Sequence, residues 1–152
     1  MSASLRMLLL LGCVLVTASQ ATGAVRLRQL PPATDAAAFV AYYWKAKPGR
    51  AQEYNDYIRT VAERIDESAR VAGVFEEVRT VLPVTAPGAG PSEWTHLRIF
   101  RLKNLAAVDG LSAGLDAATL RVVPDEAQRK ANSERSAPLR DLVRREVWTE
   151  LR

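Results

Sequence analysis

The chain has 152 residues, the size of one domain. Its 48% hydrophobic and 25% charged content excludes a disordered chain. The formal charge of +4 is spread along the sequence with no basic run longer than Arg144-Arg145, which argues against a nucleic-acid partner.

Arg6 is the only charge before Arg26, and an apolar run, Leu8 to Val16, follows it. Small residues then lead to Ala21 and Ala24. This layout predicts a signal peptide over 1–24, cleaved after Ala21 or Ala24, and a periplasmic or secreted protein. The run is well short of the ~20 residues of a membrane-spanning helix, so no membrane span is expected. Leu10-Leu11-Gly12-Cys13 also fits a lipid-attachment box. The apolar stretch before Cys13 is short for that role, and apolar residues continue after it, so a lipoprotein anchored through Cys13 is the lesser alternative. Met1, Met7 and Cys13 are all the sulfur in the sequence. The remainder thus has no disulfide and no thiolate nucleophile or ligand, and its stability rests on a hydrophobic core.

Residues 25–38 form a lead-in that Pro31-Pro32 keeps irregular. Residues 39–152 form the domain. Phe39 to Lys47 is aromatic-rich and reads as a strand, ended by Pro48-Gly49. Arg50 to Ala72 reads as a long helix, with Tyr54, Ile58, Val61, Ile65, Ala69 and Ala72 on one stripe. Glu53, Arg59, Glu63, Asp66 and Arg70 fall off it, and Gly73 is a C-terminal stop. Val74 to Leu82 alternates as a second strand, and Thr85 to Ser92 is a loop by composition. Trp94 to Leu102 reads as a third strand. Asn104 caps a short helix to about Leu115, and Pro124-Asp125 starts another to about Arg135. Leu142 to Leu151 reads as a final strand, with a helix as the alternative. The order predicts an α+β, ferredoxin-like βαββαβ fold, a four-stranded antiparallel sheet with helices on one face.

Alternation assigns side chains to the two faces. Toward the helices we place Val40, Tyr42, Trp44 and Ala46 of the first strand, Thr95, Leu97 and Ile99 of the third, and Val143, Val147 and Leu151 of the last. The far face then holds Tyr43, Trp94, His96, Arg98, Phe100, Arg144, Glu146 and Trp148, with Arg98 and Glu146 as an ion pair. A contiguous aromatic surface of that kind needs a cover, and a second copy of the sheet is the simplest one, giving a homodimer.

The stretch Tyr43-Trp44-Lys45-Ala46-Lys47-Pro48-Gly49-Arg50, with Glu53-Tyr54 after it, resembles the strand-to-helix turn of the dimeric α/β-barrel superfamily. That group includes antibiotic-biosynthesis monooxygenase-like and NIPSNAP-like proteins, and the resemblance runs from about Phe39 to Leu151. It implies sheet-to-sheet dimers with a small-molecule pocket between sheet and helices or at the barrel mouth. Monooxygenases, haem-degrading enzymes and isomerases share the fold. The haem-degrading pattern needs an Asn on the first strand and a His on the second helix; here that strand has no Asn, and His96 lies on the third.

His96 is the only histidine and the natural general base, with a hydrogen-bonded structural role as the alternative. Tyr43 is the second proton-moving candidate. Trp44, Trp94, Arg98 and Trp148 are the candidate ligand contacts, and Tyr42 is a further ring able to stack on a flat ligand. One His and no Cys outside 1–24 argue against a protein-held metal, and no cofactor is expected. Gly110-Leu111-Ser112-Ala113-Gly114 matches a nucleophile elbow, but its context is helical and no His follows it. Gly88-Ala89-Gly90 is a turn, since Pro91 removes a backbone donor. The expected function is binding of a small aromatic or hydrophobic ligand, with turnover left open; for an enzyme, the resemblance implies cofactor-independent oxidation or isomerisation. The alternative is a homodimeric envelope or interaction protein without a pocket.

Overall fold

A computed structural model describes residues 36–84 and 91–150. The expected leader, Cys13, most of the lead-in, the glycine turn at 88–90 and Leu151 lie outside the described residues.

Strand β1 (Ala38–Ala46) leads through Pro48-Gly49 into α1 (Ala51–Tyr57), a π-helical segment (Ile58–Ala62) and α2 (Glu63–Val71). Gly49 adopts φ 75° and Gly73 φ 76°, left-handed values that favour glycine at both turns. Val74 N–H reaches Ala69 O and Gly73 N–H reaches Arg70 O, so the end of α2 is closed by a Schellman arrangement. Strands β2 (Glu77–Val81) and β3 (His96–Leu102) follow, then a 3₁₀ turn (Leu105–Val108), α3 (Leu111–Val122), α4 (Glu126–Ser136) and β4 (Arg140–Thr149). Asp125 caps α4 as expected, its side chain accepting from Gln128 N–H; Asn104 accepts from Ala107 N–H but caps only the 3₁₀ turn, and the helix expected to end near Leu115 instead starts at Leu111 and runs to Val122. The last segment is a strand.

The sheet is antiparallel, in the order β2-β3-β1-β4. Each strand-helix-strand unit skips one strand, which makes the fold ferredoxin-like. The main core lies between the sheet and α2/α3: Val40, Phe100 and Leu102 meet Ala69, Phe75, Leu111 and Ala118. A second cluster joins Ala46 and Trp44 to Tyr54, Tyr57, Ile58 and Leu139.

Three face assignments are corrected. β1 faces as expected, but its register pairs Trp44 with His96, Tyr42 with Arg98 and Val40 with Phe100. Directly opposed residues share a face. His96, Arg98 and Phe100 therefore point to the helices, while Leu97 and Ile99 point away and join Ala41 and Tyr43. A bulge in β4 opposite Tyr43/Trp44 turns Val143 onto that far cluster instead of the helices. On the first helix the buried series is Tyr54, Ile58, Ala62, Asp66 and Ala69, so Ala62 and Asp66 lie deeper than the expected Val61 and Ile65, which are half-buried, and the expected Ala72 is exposed. The twelve steps from Tyr54 to Asp66 would rotate the face by about 120° on an ideal helix. The wider π winding takes rotation back and keeps one face on the sheet.

Candidate functional site

The six sequence candidates divide between two faces of the sheet. On the far face the Tyr43 ring is enclosed by Trp94 and Trp148, edge-on at 5.7 and 6.4 Å, and by the Arg144 guanidinium 3.8 Å from its centroid. Tyr43 O–H donates to Glu146 Oε2 at 3.1 Å, and Trp148 Nε1–H donates to the same oxygen at 3.0 Å. Arg144 also pairs with Glu146 and Glu93; the expected Arg98–Glu146 pair does not form, because Arg98 lies on the helix face with Asp66. Burial and the Glu146 hydrogen bond raise the Tyr43 pKa, whereas the bond from Arg144 lowers that of Glu146. Beside this group runs an open trough of about 520 Å³ floored by Phe39, Ile99 and Trp148, with Glu77, Arg79 and Arg101 at its edge.

On the helix face His96 is 1% exposed. Its Nε2 lies 2.9 Å from Asn55 Oδ1 and its Nδ1 lies 2.8 Å from Thr95 Oγ1. A neutral ring protonated on Nε2 satisfies both contacts. Tyr54 stands edge-on to it at 4.5 Å. Burial first, and the Arg140 charge second, lower the His96 pKa. Arg98 pairs with the buried Asp66 through Nη2 and lies 5.4 Å from the Phe100 ring, while its buried Nε has no partner among the described residues. Burial outweighs the Arg98 charge and raises the Asp66 pKa.

Tyr42 and Trp44 lie on this helix face as a stacked pair, centroids 6.4 Å apart with planes at 13°. The β4 register sets Arg145 opposite Tyr42 and Arg144 opposite Tyr43, and ordinary strand alternation turns the adjacent arginines to opposite faces. Arg145 lies 5.6 Å from the Tyr42 ring, and Arg140 lies 4.4 Å from that of Trp44. Between this strip and the start of α3 is an open recess of about 400 Å³, lined by Tyr42, Val108, Asp109, Ser112 and Arg145. Of these, sequence reasoning singled out Tyr42 as a stacking ring and met Ser112 only in the rejected elbow motif. The aromatic run at 42–44 marks one wall; the others come from segments whose approach depends on long-range pairing. His96 and Tyr43 point to opposite faces, so one molecule cannot touch both within a protomer.

Among the described residues no helix is long and apolar enough to cross a membrane. No family model matches the chain, and no curated protein matches it. Solved structures similar to it include HapK from Hahella chejuensis, at 9% identity over 75% of this chain and 92% of that one, with a TM-score of 0.47. An ethyl tert-butyl ether D (EthD) family protein from Bacillus halodurans is 13% identical over 76% of this chain and 99% of that one, with a TM-score of 0.45. A dimeric ferredoxin-like protein of unknown function from Thermobifida fusca is 10% identical over 76% of this chain and 90% of that one, with a TM-score of 0.42. The strand order, rather than these distant likenesses, carries the fold.

Proposed function

We propose that this chain is an exported small-molecule-binding protein of the dimeric α/β-barrel kind, working as a sheet-to-sheet homodimer with its ligand site on the helix face. The observation that carries the reading is the recess beside the Tyr42–Trp44 pair: an aromatic wall, a neighbouring cation and about 400 Å³ of open space. The recess is mainly polar, with Tyr42 as its one ring, so it suits a ligand held by polar groups and a single stacking contact. The far face has the other role. Its Ile99, Trp94, Val143 and Trp148 lie around Tyr43, and a second sheet over them removes that surface from water. Binding without turnover is the form we favour, because both ring nitrogens of His96 are engaged within the chain and Tyr43 is committed to Glu146 on the other face.

Native mass spectrometry of the protein purified from its own host tests this reading. A dimer of chains starting near Val25 and carrying an added small mass is expected. A monomer refutes the sheet-to-sheet assembly, and a retained leader refutes export. A dimer that holds no added mass and takes up no aromatic compound on soaking refutes the ligand site and leaves the interaction protein.

A further inference from the structure

The recess is lined by one cation, Arg145, and one acid, Asp109, and the two form no ion pair with each other. Arg145 lines it, and Arg140 lies farther along β4 among Trp44, Tyr54 and Tyr57, at 4.4, 4.8 and 5.5 Å from their centroids. Neither has an ion-pair partner among the described residues, whereas Arg144 between them holds both Glu93 and Glu146. A guanidinium near a ring face retains N–H donors that match the two oxygens of a carboxylate. The recess therefore sets the Tyr42 ring and Val108, within a mainly polar lining, next to a guanidinium that forms no ion pair among the described residues.

We infer that the recess binds planar aromatic monocarboxylates, the ring against Tyr42 and Val108 and the carboxylate on Arg145, with the Ser112 hydroxyl as an added donor. Asp109 is the one acid lining the recess. It repels a second carboxylate and accepts a hydrogen bond from a ring hydroxyl, so hydroxylated monoacids suit the site better than diacids. This assignment rests on the recess being the ligand site, as proposed above.

Calorimetry on the protein purified from its host, with benzoate and naphthoate each set against its amide, tests the assignment. The acids are expected to bind at least roughly tenfold tighter than the amides. Arg145→Gln, a change at an exposed side chain, should erase that difference and leave the melting curve unchanged. Ser112→Trp, also at an exposed position, should fill the recess and remove acid and amide binding together. Equal binding of acid and amide, or an Arg145→Gln variant that keeps the preference, overturns the anion assignment. The ligand site itself survives that result if Ser112→Trp still abolishes binding. Absence of binding by acids and amides alike at millimolar concentration overturns both.

Discussion

Folding takes His96 and Asp66 out of water, and the pH dependence of stability follows from how each responds. The His96 pKa falls below its usual 6.5, chiefly through burial. Just below pH 6.5 the folded chain therefore binds fewer protons than the unfolded one. The His96 contribution is full above that pH and is lost as pH falls through the lowered folded-state value. Asp66 acts in the opposite sense: its pKa is raised from 3.8, so its contribution declines as pH rises above that value. Urea unfolding as a function of pH separates the two. His96→Gln should flatten the loss of stability below about pH 6.5, and an unchanged profile would assign the acid loss elsewhere. Removing one partner of the buried pair is severe: Asp66→Ala should lower stability by about 3–5 kcal/mol, because Arg98 is left unpaired. Replacing both, Asp66→Leu with Arg98→Met, should recover most of that loss in the same denaturation assay. His96 was legible as a singular residue. The hydrogen-bonded structural role was one of its two readings; the partner was not legible, since Asn55 lies 41 residues away along the chain.

At the scale of elements, local signals read well. Pro48-Gly49, Gly73, Asn104 and Asp125 end or start their segments through backbone conformation and short hydrogen bonds, which need no distant partner. Two irregularities escaped those signals, the π segment of the first helix and the β4 bulge. Each adjusts an element to what it packs against, so neither has a strong local mark. Gly114 on α3 is a third such adjustment. A Cβ there would lie 2.4 Å from Val74 Cγ1 and 2.6 Å from Cγ2, where the helix passes the end of α2. Gly114→Ala should therefore destabilise by about 1–3 kcal/mol, despite the roughly 1 kcal/mol that alanine gains over glycine inside a helix. Val74→Ala in the same chain should restore much of it, as thermal melts of the single and double variants would reveal. A stabilised Gly114→Ala would mean that Val74 moves aside freely.

For the whole molecule, the sheet divides two kinds of surface. The helix face holds the core, the buried His96 and Arg98 networks and the recess; the far face holds the aromatic group around Tyr43 and the apolar trough. Under the proposed assembly the trough lies against a second copy. Trp148, 38% exposed and on the edge strand, is the informative position. Trp148→Lys should shift the native mass spectrum from dimer to monomer while the circular dichroism melt shows a folded chain. A dimer that tolerates this lysine would place the interface elsewhere.

By itself the sequence determined the order of elements, the α+β class, the caps and the face of β1, because these depend on periodicity and on chemistry within a few residues. Tertiary structure decided the face of β3 and the displacement of Val143. A strand carrying polar and apolar residues in both phases can turn either set inward. On β3 the choice went to His96 and Arg98 because Asn55 and Asp66, on a helix far away in sequence, supply partners that make their burial tolerable.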